Sequence, residues 1–219
     1  MNQILGNDAR PDFSYLKKSA KNFKIIFWIF IFIFIFSIIL FFLLKYNSLK
    51  REKVSKKLID SFNITTLYSN KSNYSANFAN YNLTQSNNSN FVIGLIKIDK
   101  INLLYPILSE ASDNSLSIAP CRFYGPMPNQ IGNLCIAGHN NANNTLFGKL
   151  DVLEKNDIVK IYDLNGSYVD YYIYEIKRIK SNDTSCINQN TNGLREISLL
   201  TCNSLKNDRL LIKAKEGSS

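Results

Sequence analysis

The sequence predicts an all-β domain, a closed or nearly closed barrel of roughly seven or eight short strands, behind a single membrane-spanning helix. Two observations carry this. From Phe91 onward, short runs alternate apolar and polar residues between turn signals, with little helical period. Upstream, residues 25–44 form an uninterrupted apolar run. With 219 residues, 45% of them apolar and 12% aromatic, the chain can bury one domain core and still carry appendages.

The apolar run, IIFWIFIFIFIFSIILFFLL, has no charge and only Ser37 as a polar residue. As a helix it extends about 30 Å, the hydrocarbon thickness of a bilayer. Its Ile/Phe alternation would suit a strand elsewhere, but a lone strand in lipid leaves its backbone groups unpaired, so a helix is expected. A cleaved signal peptide is the rival. The apolar core of such a peptide is shorter, and KYNSLKREK follows here where small cleavage-site residues would stand. An uncleaved anchor over residues 25–44 is therefore the expectation.

The formal net charge of +9 is unevenly spread. Residues 1–90 hold twelve Lys/Arg against four Asp/Glu, and residues 91–219 hold fourteen against thirteen. The excess sits around the apolar run, with Lys17, Lys18, Lys21 and Lys24 before it and Lys45, Lys50, Arg51, Lys53, Lys56 and Lys57 after it. Lysines at helix ends reach anionic headgroups, so the basic character belongs to the membrane surface. A C-terminal domain close to neutral is not expected to bind nucleic acid. Arg10 included, five basic residues before the run and six after it leave the orientation open by the positive-inside rule.

Residues 1–24 read as a polar tail, and residues 45–60 as a basic helical extension of the anchor. Ser61 to Asn90 is rich in Asn and Ser with no sustained period and reads as linker with room for a helical turn or two, so residues 45–90 as a whole are expected to link the anchor to a domain at 91–219. Glycosylation-type triplets such as NIT, NKS and NYS arise by chance in such a composition and carry no inference. In the domain, VIGLIKI, INLLYPIL and GNLCIAGH read as strands, and NTLFGKLDVL as a helical turn. DIVKIYD and SYVDYYIYEI flank LNG, a hairpin signal because Asn165 and Gly166 both tolerate positive φ. EISLLTC and RLLIKA form the last pair around the six-residue turn NSLKND. No internal repeat is visible.

Cys121, Cys135, Cys186 and Cys202 show none of the CxxC spacings of zinc or redox sites, and one histidine adds little metal-binding capacity. No metal and no cofactor are expected. In an oxidising exterior, one disulfide among Cys121, Cys135 and Cys186 is compatible with the sequence. His139 is the only histidine, so any Cys–His catalysis must use it. It ends the strand NLCIAGH after Gly138, which permits close backbone approach. Cys202 ends ISLLT, with Leu200 and Cys202 on one face and Leu199 and Thr201 on the other. A thiol there becomes a nucleophile only with a base or cation nearby. Arg209, opening the next strand, can project near Cys202 at the same barrel rim if NSLKND turns tightly. Taken singly, the three read as a loop histidine, a core thiol and a solvated charge. Together they stand at strand ends of one small β-domain.

GNLCIAGHN, LLTC and RLLIKA, in that order behind an anchor and a polar linker, resemble the sortases, membrane-anchored cysteine transpeptidases of Gram-positive bacteria. GLIKIDKINLLYPIL is similar to that family's opening strands, so the resemblance covers residues 91–214. Ser198 stands where the family commonly has Thr. The resemblance implies a closed eight-stranded β-barrel with short helices, lying outside the cell with residues 1–24 inside. It implies that Cys202 attacks an LPxTG-like sorting signal to form a thioester, that Arg209 stabilises the oxyanion, and that His139 is the general acid and then the base. The acceptor would be an amine of a peptidoglycan precursor or of another protein.

Glu175 to Glu196 is too short for the helix-bearing insertion of class B enzymes, NSLKND is brief for the Cys-to-Arg loop, and no Asp-Pro-type lid of the pilin-polymerising enzymes is present. A housekeeping-like or class D-like member is favoured. One rival keeps the fold without catalysis, as a membrane-tethered barrel binding cell-wall or extracellular partners. Another, a different cysteine hydrolase, fits less well. Papain-like enzymes place the cysteine before the histidine, and L,D-transpeptidases carry an SHGCxR-type motif that LLTCNSL lacks.

Overall fold

The computed structural model describes residues 14–69, 91–203 and 208–217. The chain falls into two compact units, Met1–Leu49 and Lys50–Ser219. Helix α1 (Ser14–Ser69) begins in the first. There nearly all its large apolar side chains from Ile26 to Leu44 are exposed, Phe32 at 72% and Trp28 at 68%. A helix apolar on every side, with no protein covering it, is suited to lipid, and by length and composition it can cross a membrane.

The second unit is built on a closed barrel with strand order β1-β2-β3-β4-β7-β8-β6-β5. Its strands are β1 (Val92–Ile98), β2 (Leu103–Leu108), β3 (Cys121–Tyr124), β4 (Gly132–Gly138), β5 (Ile158–Tyr162), β6 (Tyr168–Lys180), β7 (Arg195–Asn203) and β8 (Asp208–Glu216). Closure comes from β5 pairing antiparallel with β1. The β4–β7 pair is parallel, as is the single β2–β3 bridge, Leu108 to Cys121. The period-two pattern is realised directly: Ile96, Ile98, Leu134, Ile136, Ile197, Leu199 and Ile212 point inward and form the main core.

The sequence reading holds for seven of these strands. The eighth, β3, is the four-residue stretch CRFY, too short to show alternation, and the brief helix α2 (Asp113–Leu116) was equally invisible. The hairpin at LNG exists, but Gly166 alone takes positive φ, +79°. Asp163 builds the turn, its Oδ1 accepting from the backbone N–H groups of Asn165 and Ser167 at 2.9 and 3.0 Å.

Helix α1 runs to Ser69, into the stretch read as linker; residues 70–90 lie outside the described residues. Within the second unit the cause is packing. Ser55, Leu58, Ile59 and Phe62 recur at the spacing of one helical face. Leu58, Ile59 and Phe62 lie on Val92, Leu95, Leu108, Ala119 and Cys121, the outer face of β1–β3. Phe62 is only 2% exposed. Phe62→Ala is expected to cost about 3 kcal/mol of barrel stability, measured as a lower urea midpoint, with hydrogen-exchange protection lost over residues 55–62.

Candidate active site

Strands β4 and β7 run parallel in an unbroken register from Gly132 opposite Arg195 to Gly138 opposite Thr201. The next residue is His139, just past the end of β4, on one side and Cys202, still within β7, on the other. Across the hairpin, Cys202 is paired directly with Arg209. Residues facing one another on neighbouring strands project to the same side, with Cα atoms roughly 5 Å apart. The fold thus pairs Cys202 with Arg209 and sets the end of β4, one residue before His139, against Thr201, so the residues singled out in the sequence converge on one end of the β4–β7–β8 ladder, though His139 and Cys202 lie far apart along the chain. His139 and Cys202 are exposed and Arg209 is half-buried.

The local supports are visible around each. The Thr201 hydroxyl, buried, donates to the Gly138 carbonyl at 2.7 Å, tying together the two residues that precede Cys202 and His139. Phe147 donates its backbone N–H to the His139 carbonyl at 3.0 Å, closing the loop behind the histidine. Leu146, in the left-handed region at φ +54°, donates its N–H to the Tyr105 hydroxyl at 3.3 Å. Gly138 has a steric reason: a Cβ there would lie 2.6 Å from the Phe147 ring.

The thiols divide sharply. Cys121, Cys135 and Cys186 are buried, and Cys202 is the one exposed cysteine. Burial pushes the Cys121 thiol up to about 12 and raises that of Cys135 as well, so neither supplies thiolate near neutral pH. Asp208, the acidic neighbour of Arg209, is engaged elsewhere, its Oδ1 lying 3.5 Å from Arg178. Among the described residues Arg209 has no carboxylate partner, so its guanidinium is available to a ligand.

The β6–β7 connection folds back over the outside of β4. Asn133, only 1% exposed, donates through Nδ2 to the carbonyls of Cys186 and Asn188 at 2.8 and 3.0 Å. Its backbone N–H and carbonyl are clasped by the Gln189 amide at 3.0 and 2.8 Å. Beside it lies a cleft of about 700 Å³ whose lining includes Glu110, Arg122, Tyr124, Ile131 and Gln189. Tyr124 pairs with Cys135, four residues before His139 on β4, so the cleft lies roughly 13 Å along that strand from the trio. Asn133 and Thr201 were missed by sequence reasoning. The one available signal was a polar residue inside an otherwise apolar strand.

The model of the sortase domain matches residues 96–217. Among solved structures, a Clostridium perfringens sortase D5 transpeptidase is 31% identical, with a TM-score of 0.61, and the match covers 76% of this chain and all of that one. Sortase A from Corynebacterium diphtheriae is 24% identical over 69% of this chain and 72% of its own, with a TM-score of 0.55. Clostridium perfringens sortase C, solved with the C-terminal cell wall sorting motif, is 21% identical over 75% of this chain and 89% of its own, with a TM-score of 0.53. At that identity the last two show the fold alone. No relative was found among curated protein sequences.

Gly138→Ala is expected to destabilise the barrel by about 2 kcal/mol, because the new methyl group overlaps the Phe147 ring. Urea denaturation measures the loss, and adding Phe147→Leu to the variant should recover part of it.

Proposed function

Because this chain belongs to the sortase family, we propose that it is a working cysteine transpeptidase with Cys202 as nucleophile, His139 as acid and base, and Arg209 as oxyanion donor. The observation that supports this reading is the pairing of Cys202, the one exposed cysteine, with Arg209 at the end of the ladder where His139, the only histidine, follows β4. The Cys202 thiolate attacks the carbonyl carbon of the scissile peptide in an LPxTG-like sorting signal. Negative charge then gathers on the carbonyl oxygen, where the multi-donor guanidinium of Arg209 stabilises it more than the neutral ground state. The tetrahedral intermediate collapses to a thioester on Cys202 as His139 gives a proton to the leaving amine. An incoming amine, from a peptidoglycan precursor or another protein, loses a proton to His139, attacks the thioester and leaves joined to the substrate.

The cleft lined by Tyr124, Ile131 and Gln189 lies toward the far end of β4, where residues upstream of the scissile bond would run in an extended peptide. The short β6–β7 connection and the likeness to the D5 enzyme support a class D-like member. Orientation follows from the same reading: residues 1–24 stay inside, 25–44 cross the membrane, 45–90 connect, and the catalytic domain at 91–219 works outside.

A transfer assay with a fluorescent LPxTG-type peptide and an amine acceptor tests the assignment. Cys202→Ala should abolish cleavage while the circular dichroism of the barrel is unchanged. His139→Ala and Arg209→Ala should each cost about a hundredfold or more in kcat/KM, and the double variant should lose far less than the product of the two. Cleavage by Cys202→Ala at the rate of the unmodified protein would overturn the reading.

A further inference from the structure

We propose that Cys135 and Cys186 form a disulfide that fastens the β6–β7 connection to strand β4 when the barrel stands in an oxidising medium. The structure holds both as thiols. They belong to one buried cluster outside the barrel wall, with Ile179, Leu200 and Leu211, and they are 0% and 2% exposed. Burial is the main cause that raises the Cys135 thiol, and the Cys186 thiol in the same cluster raises it further. The backbone around Cys186 is independently held to β4, since its carbonyl accepts from Asn133, two residues before Cys135, at 2.8 Å. Competing pairings are disfavoured by position. The Cys121 thiol lies in a different cluster, under α1, and donates to the Ala119 carbonyl at 3.2 Å, while Cys202 is exposed at the rim.

The oxidant is an external disulfide, RSSR, either a low-molecular-weight one or that of a thiol oxidoreductase. One cysteine thiolate attacks it, forming a mixed disulfide and releasing RSH. The second cysteine thiolate attacks the protein sulfur of that mixed disulfide and releases the other RSH. Two S–H bonds are lost, one protein S–S bond forms, and the two electrons reduce RSSR to two RSH. Because a buried thiol supplies little thiolate, exchange proceeds during folding or when the connection lifts, and the finished bond is shielded from reductant. The link closes a long loop and ties down the segment beside the cleft, so it acts as a structural staple rather than a rapidly reversible switch. The natural oxidant depends on the proposed location outside the membrane. The pairing does not, nor does it depend on the transpeptidase reading.

The test uses the full chain in detergent, refolded in a glutathione redox buffer, denatured and alkylated with N-ethylmaleimide. Before alkylation the mass should be lower by two hydrogens than that of the reduced chain; after it, two labels per chain are expected, on Cys121 and Cys202, with a cross-linked peptide joining Cys135 to Cys186. Cys202 should still label under native conditions, which keeps the staple distinct from the nucleophile. Reduction should lower the melting temperature by about 5 °C, and Cys186→Ala should take three labels and show no reductant-dependent shift. If Cys135→Ala does not fold, Cys186→Ala supplies the comparison. Four labels after refolding, or a cross-link to Cys121 or Cys202, would overturn the proposal.

Discussion

The parallel pairing of β4 with β7 is the constraint on which the candidate site depends. Side chains alternate along both strands, so a slip of one residue would send His139 or Cys202 to the opposite side of the barrel wall. Seven consecutive pairs, Gly132 with Arg195 through Gly138 with Thr201, hold that register. At its end the Thr201 hydroxyl bonds the Gly138 carbonyl, one residue before each functional side chain. The neighbouring antiparallel pair then sets Arg209 against Cys202, so two ladders meeting on one strand gather Cys202 and Arg209 at the end where His139 follows β4. The inward residues of those same strands, Leu134, Ile136, Ile197, Leu199 and Ile212, anchor the register in the core. Packing and site geometry are therefore one problem, and the barrel solves both with the same residues.

Around this inner structure lies an outer layer that gives the other thiols their character. The end of α1 covers Cys121, and the β6–β7 connection covers Cys135 and encloses Cys186. Cys202 is left at the rim as the accessible thiol. Burial thus sets the four apart in access, and it raises the Cys121 and Cys135 thiols so that these two stay protonated. The outer layer also borders the cleft, so the segment that hides Cys186 can shape what lies beside β4.

Much of the barrel was legible because a half-buried strand writes period-two alternation into its sequence, as VIGLIKI and RLLIKA do. The apolar run was equally plain, since lipid demands an unbroken stretch. What was not legible is long-range. Nothing local in GNLCIAG says that it runs parallel to REISLLT, and nothing in Asn133 names Gln189 as its partner in the β6–β7 connection. The short strand CRFY fell below the length at which alternation can be recognised, and Arg122 spends its guanidinium on the Ser109 and Gly125 carbonyls, a role with no periodic signature. The end of α1 was read as linker from Ser61, with at most a helical turn or two, because the surface that Phe62 covers belongs to the barrel. His139, Cys202 and Arg209 were found because each stands at a strand terminus; the short turn joined Cys202 to Arg209 beforehand, and the family pattern joined His139 to them. Thr201 lay in plain view beside Cys202, but a threonine in a strand is ordinary until its hydrogen bond is seen.

The most direct measurement of the central claim is the intact mass of the protein, quenched in acid seconds after mixing with a sorting-signal peptide and no amine acceptor. The account predicts an added mass equal to the acyl fragment upstream of the scissile bond, located on Cys202 and released by hydroxylamine as a thioester would be. Cleaved peptide with the protein mass unchanged at every quench time, or an adduct on any other residue, would contradict it.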